Sequence, residues 1–198
     1  MNATPEDESA AAERSLRSTW SIGPLRPWLK LLAERQMPAG LRGRVDPSDL
    51  VQQALIDAWR GHDQFRGRTH AERLAWLRVI LTRAILRQDR DQLRTAKRGR
   101  GIEVQLQAAV DRDSVRMEQL AVDDASAAET QVDRAERLLA LAAALDELPE
   151  DYRQVLTLRH IEGLSHEAIA DRIGRSPAAA RMLWVRALEK LRSVYQQP

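Results

Sequence analysis

The run Ser176-Pro177-Ala178-Ala179-Ala180-Arg181 combines residue types suited to non-covalent chemistry in a DNA groove. Ser176 can cap a helix, and Pro177 suits its first position, where a missing N–H costs nothing. Three alanines let the start of that helix lie close in a groove. Ala178, Ala179 and Arg181 then sit near base edges or thymine methyls. Arg186, Lys190 and Arg192 extend the positive charge backward, toward phosphates or solvent. Upstream, Ser165 can cap a shorter helix with Glu167 near its positive end and Ala168, Ile169 and Ile173 on its inner side. Gly174 stands where the turn between them needs positive φ. This helix-glycine-helix spacing is that of a helix-turn-helix, whose second helix enters the major groove by its N-terminal part. The same residues also allow a plain helical hairpin with a basic surface.

A second constellation lies on a long helix expected over about 71–96. At about 100° per residue, Leu74, Leu77, Leu81, Ala84 and Ile85 share one side. Trp76, Arg83, Arg87, Arg90 and Arg94 share the opposite side, with Lys97 close by. An aromatic ring among arginines is a stacking platform for unpaired bases with phosphate contacts beside it. Two readings of Trp76 stay open: that platform, or core packing against another element such as a helix at 25–36. Asp89 and Asp91 are the acids interleaved in the stripe. A third constellation, Asp49, Gln52, Gln53 and Asp57, lies opposite or beside the apolar stripe of a helix at 48–60. It is either a solvated face or a docking surface for a protein partner.

Other chemistry finds no support. His62, His70, His160 and His166 have no metal-ligand spacing, and the chain has no cysteine. No metal site and no cofactor are expected. There is no phosphate-binding glycine loop and no readable nucleophile–base order, so an enzyme is not expected. The absence of cysteine fits a reducing cytoplasm, the expected location. No apolar run reaches the ~20 residues needed to span a membrane. The acidic start of the chain does not read as a secretory signal.

These groups are positioned by helices, since β-type alternation is nearly absent. Leu25, Trp28, Leu29, Leu31 and Leu32 predict a first helix over 25–36, ended by Pro38 and Gly40. Ser48 is the expected cap of the second, whose apolar stripe is Leu50, Val51, Ala54, Leu55, Ala58 and Trp59. Gly99 to Gly101 should stop the third. Leu138, Leu139, Leu141, Ala142 and Leu145 begin a C-terminal module, followed by helices at about 150–162, 165–172 and 176–195. Few aromatics, 4%, and many charges, 30%, suit two small helical modules better than one large core. Charge is uneven: residues 14–101 carry 19 Lys/Arg against 8 Asp/Glu, and residues 102–137 carry 4 against 9. That is the pattern of a polyanion-binding module joined to a solvated linker. The expected division is a disordered acidic tail at 1–19, a first domain at 20–100, a linker with at most short helical pieces at 101–134, and a second domain at 135–196.

Two groups of motifs resemble one family. Asp49-Leu50-Val51-Gln52-Gln53-Ala54, Ala58-Trp59-Arg60, Asp63-Gln64-Phe65-Arg66-Gly67 and Ala75-Trp76-Leu77 resemble region 2 of bacterial RNA polymerase sigma factors. Leu145-Asp146-Glu147-Leu148-Pro149-Glu150-Asp151-Tyr152-Arg153, Glu162-Gly163-Leu164-Ser165 and Arg186-Ala187-Leu188-Glu189-Lys190-Leu191 resemble region 4. The layout looks like the extracytoplasmic-function (ECF) class of the sigma-70 family, and the lead-in at 41–49 is similar to planctomycete members. The resemblance covers about residues 20–195. It implies an all-α fold of two small helical domains, a region 2 bundle and a region 4 helix-turn-helix, joined by the acidic linker.

The resemblance further implies a function. The helix at 48–60 would dock on the β′ clamp helices of core RNA polymerase through Asp49, Gln52 and Gln53. Trp76, Arg83, Arg87, Arg90 and Arg94 would bind and open the minus-10 promoter element. Ser176, Ala178, Ala179, Arg181 and Arg186 would meet the minus-35 element, with region 4 near the β flap. The linker would thread near the polymerase active site, and the chain would do no chemistry itself. An anti-sigma factor is common in the class, though no residue here identifies one. Two departures stand out. Gln53 replaces the usual Glu, and Ala179-Ala180-Arg181 with Leu183 replaces a more polar set, shifting minus-35 readout toward shape and methyl contacts. Competing functions are a stand-alone helix-turn-helix regulator and a helical protein that sequesters another regulator.

Overall fold

The computed structural model describes residues 23–93, 100–122 and 131–196. The expected acidic tail at 1–19, and Arg94 and Lys97, lie outside them. The described residues form helices without strands: α1 Leu25–Gln36, α2 Pro47–Gly61, a 3-10 turn His62–Gln64, α3 His70–Leu93, α4 Arg100–Val122, α5 Gln131–Asp146, α6 Glu150–Leu156 with a π turn Thr157–Ile161, α7 His166–Ile173 and α8 Pro177–Tyr195.

Local chemistry sets the ends. The cap of α2 is Asp46, two positions ahead of the expected cap. Its carboxylate accepts from the Ser48 N–H at 2.8 Å, and Pro47 takes the first helical position. Ser48 is therefore inside the helix and is not its cap. At α3, Thr69 and Glu72 form a reciprocal capping box: the Glu72 N–H donates to Thr69 Oγ1 at 3.1 Å, and the Thr69 N–H donates to Glu72 Oε2 at 3.0 Å. The helix expected over 150–162 is regular only to Leu156; the Glu162 N–H then reaches back five residues to the Thr157 carbonyl.

The buried residues form one continuous cluster. Trp28, Leu29 and Leu32 of α1 meet Leu77, Leu81 and Ile85 of α3, Val110 and Met117 of α4, and Leu138 and Leu145 of α5. From there the cluster runs into Val155, Leu156, Ile169, Ala180 and Ala187. The cores of the two modules thus merge along α4 and α5.

Two expectations change here. The segment at 101–134 holds a 23-residue helix, α4, in place of short helical pieces. Its apolar positions are too sparse to announce a helix by periodicity, yet Val110 and Met117 are fully buried. Polar clasps do the rest: Arg78 pairs with Asp111 at 2.6 Å and Arg35 with Asp113 at 2.9 Å. Trp59 is 64% exposed and does not belong to the buried stripe of α2. It lies about 110° from the centre of the arc spanned by Leu50, Val51, Ala54, Leu55 and Ala58, and its ring stacks on His62.

Leu32→Ala, at the centre of this cluster, should lower stability by about 2–5 kcal/mol. Ile56→Ala, on the outer side of α2, should stay within about 0.5 kcal/mol. Urea unfolding of the two variants beside the parent protein tests the assignment of the core.

Candidate nucleic-acid and partner interface

The helix-turn-helix is built as its residue types require. Ser165 Oγ accepts from the Ala168 N–H and Ser176 Oγ from the Ala179 N–H, both at 3.2 Å. Gly174 turns the chain at φ +67°, and the Arg175 N–H returns to the Ala170 carbonyl. Ser176, Ala178, Ala179, Arg181 and Arg186 are all exposed. Ala180 is fully buried and Leu183 packs against the core. The outward strip therefore runs Ala178, Ala179, Arg181, Met182. Met182, 52% exposed, was not singled out in the sequence, where a methionine at helical spacing reads as core. Behind the strip, Trp184 Nε1 donates to His160 Nε2 at 3.1 Å, and the His166 ring meets Trp184 edge-on. This aromatic clamp fixes α8 to the π turn. Burial first, then Arg159 and Arg181, hold the His166 imidazole below its usual proton affinity.

On α3, Leu74, Leu77, Leu81, Ala84 and Ile85 are buried, while Arg83, Arg87 and Arg90 are exposed. Asp89 is buried and does not dilute the basic face; Asp91 is exposed. Trp76 is half-buried, its ring tilted on Phe65 with centroids 5.2 Å apart. Gly61 lies under the same ring, and a Cβ at Gly67 would overlap the Phe65 ring. Trp76 is thus supported by a loop whose glycine leaves room for its partner, and the ring also packs against the buried core. Phe65 was visible in the sequence only as part of a motif; its contact is tertiary.

On α2, Asp49 and Gln52 are exposed and Gln53 is half-buried. Gln53 Nε2 donates to Asp57 Oδ1 at 2.9 Å, and Arg87 Nη1 donates to Asp57 Oδ2 at 3.2 Å. One carboxylate therefore joins the acidic-amide face of α2 to the arginine stripe of α3. The two constellations, separate in the sequence, meet along one cleft lined by Arg44, Asp49, Gln53, Arg87 and Asp91. Among the described residues, no group of His, Asp and Glu is placed to hold a metal ion. No described helix is long and apolar enough to cross a membrane.

Comparison with known proteins is specific. Residues 21–97 match sigma-70 region 2, and residues 138–191 match sigma-70, region 4. The chain is 30% identical over 143 residues to the ECF RNA polymerase sigma-E factor of Escherichia coli (strain K12), across 70% of this chain and 65% of that protein. It is 31% identical over 156 residues to the ECF RNA polymerase sigma factor SigG of Mycobacterium tuberculosis (strain ATCC 25618 / H37Rv), across 75% of this chain and 42% of that one. With the ECF RNA polymerase sigma-E factor of Salmonella typhimurium (strain 14028s / SGSC 2262) identity is 29% over 143 residues. The match spans just under two thirds of the length of the sigma-E factors.

His70, at the start of the basic helix, yields a pH prediction. Burial, and then the Arg73 guanidinium beside it, lower its proton affinity from the ordinary 6.5. A base with a depressed folded pKa favours unfolding once the unfolded chain protonates. Stability should therefore fall as pH drops below about 6.5, and His70→Gln should flatten that slope. Urea midpoints between pH 7.5 and 5 measure it; an unchanged slope in the variant removes His70 as a contributor.

Proposed function

We propose, from the matches to sigma-70 region 2 and region 4 in that order, that the chain is an ECF sigma factor of the sigma-70 family directing promoter-specific transcription initiation by core RNA polymerase. One observation carries the reading: two matched regions on one chain each present an exposed basic face, and the first also presents an exposed acidic-amide face. A stand-alone regulator needs the helix-turn-helix but not the rest. On the lead-in at 41–49 we place the chain beside planctomycete members of the class.

In this reading Asp49, Gln52 and Gln53 meet the β′ clamp helices, while region 4 approaches the β flap. Arg83, Arg87, Arg90 and Arg94 hold the minus-10 strand by its phosphates, and the exposed part of the Trp76 ring takes an unpaired base. Ser176, Ala178, Ala179, Arg181 and Arg186 meet the minus-35 element. With Ala180 and Leu183 turned inward, direct polar readout rests on few groups, leaving methyl contact and groove shape a larger share. The domains we assign are 20–100 and 135–196, with 101–134 as a connector that carries most of α4. The chain acts in the cytoplasm, performs no chemistry itself and is open to control by an anti-sigma factor.

The decisive experiment mixes the purified chain with core polymerase on a genomic template library. Promoter-dependent transcripts are expected; their absence on every template sinks the proposal. Asp49→Arg with Gln52→Ala should abolish co-purification with β′ while leaving duplex binding by region 4 intact. A regulator that never engages polymerase would show no such association to lose. Trp76→Ala should impair promoter opening by about tenfold or more while closed-complex binding changes little. Equal loss of opening, binding and thermal stability would make Trp76 a core residue instead.

A further inference from the structure

We propose that Met182 is a specificity-determining residue of the helix-turn-helix, and that with Ala178 it forms an apolar ridge that reads thymine methyl groups in the major groove. The proposal deepens the sigma-factor reading by naming the base chemistry of its upstream element. The contact itself needs only that α8 enters duplex DNA.

The ridge follows from helix geometry. Ala180, Ala187 and Leu191 are buried and lie within about 40° of one another around α8. The direction opposite their centre points straight out of the module. Ala178 and Met182, four residues apart, lie about 20° to either side of that direction. Arg181 and Arg186 lie about 80° and 60° from it, on opposite flanks. All four are exposed. The middle of the outward face is therefore apolar and its two edges are cationic. Met182 is 52% exposed, so covering it gains apolar burial. The ridge is held from behind: Ser176 caps the first turn of α8, and the Trp184–His160 hydrogen bond fixes the next.

The chemistry of the occupant follows from these residues. Two flanking guanidinium groups suit the phosphate rows on either side of a groove. The thioether of Met182 donates no hydrogen bond and accepts only weakly. Against a purine it would cover polar ring and exocyclic groups without pairing them, and against cytosine an amino donor. Thymine instead offers a methyl group at that edge. Ala178 and Met182 are about 6 Å apart along the helix axis, or about two base steps of ~3.4 Å. A straight helix diverges from the curving groove with distance from its tip, so the second contact needs the longer side chain. Met182 supplies it, with three rotatable bonds that adapt to the methyl. Glu189 ends the ridge. It is exposed on the same outward line about two turns further on, where its carboxylate repels phosphates and confines base contact to the start of α8.

The test lets the full chain select duplexes from a random-sequence library. Each thymine of the selected site is then replaced by deoxyuridine, which keeps the base pair and removes only the methyl group. Replacement of the thymine that meets Met182 should weaken binding by the parent chain about fourfold. Met182→Ala should bind the thymine duplex about as weakly as the parent binds the deoxyuridine duplex, and should then lose almost nothing on the same replacement. Met182→Leu should keep the methyl dependence, and Met182→Gln, of similar length but polar, should lose it. Arg186→Ala should weaken binding to all duplexes alike and lower its salt dependence, with the methyl effect intact. Indifference of the parent to every deoxyuridine, a selected site without thymine, or equal losses in the parent and Met182→Ala overturns the proposal. So does failure of the full chain to select any duplex. A second arm adds core polymerase and a template carrying the selected site upstream. Methyl-dependent duplex binding without a polymerase-directed transcript supports the role of Met182 and counts against the sigma-factor reading.

Discussion

A single guanidinium, that of Arg35, ties three parts of the chain together. It sits between Asp113 of α4 and Glu162 beside the helix-turn-helix, and Gln36 adds a second donor to Asp113. Asp113 is almost fully buried, so its charge is tolerable only while both α1 donors stay in place. Breaking one partner of such a group typically costs about 3–5 kcal/mol, although the intact pair contributes far less. The arrangement therefore specifies more than it stabilises. It dictates where α4 lies on α1 and, through Glu162, where the C-terminal module begins.

With α4 held, the faces that matter are separated by helix geometry. α3 turns its leucines inward and its arginines outward, and α2 does the same with its apolar arc and its Asp49–Gln52 face. The two outward faces adjoin because α2 and α3 pack together, and Asp57 binds Gln53 and Arg87 at the seam. A partner engaging Gln53 and a phosphate engaging Arg87 would thus draw on groups that share one carboxylate. At the other end of the molecule, the Trp184–His160 clamp lets α8 project its N-terminal strip without help from the first module.

Local signals were read well where the physics is local. The limits of α1, the Ser165 and Ser176 caps, the positive φ at Gly174 and the buried side of α3 all follow from spacing and residue type. Asp46 displaced Ser48 as a cap because the proline between them begins the helix one residue sooner. α4 escaped notice because its stability comes from partners far away in the chain. Arg35 and Arg78 supply what its own sparse apolar residues do not, and no window of sequence contains both sides of those pairs. Trp59 misled for the opposite reason: an apolar residue at the margin of a helical arc is buried only if a neighbour covers it, and among the described residues the His62 stack leaves the ring largely exposed.

By itself, then, the sequence determined the helical class, the order of two modules, the helix-turn-helix and the polarity of the α1 and α3 faces. All of these depend on periodicity, capping and φ preference within a few residues. Only the tertiary structure decided which faces adjoin, how Trp76 rests on Phe65, and that the two modules share one continuous core. Those outcomes depend on contacts between residues up to 127 positions apart, as in Arg35–Glu162. Such pairs are one choice among many chemically equivalent ones until packing brings them together.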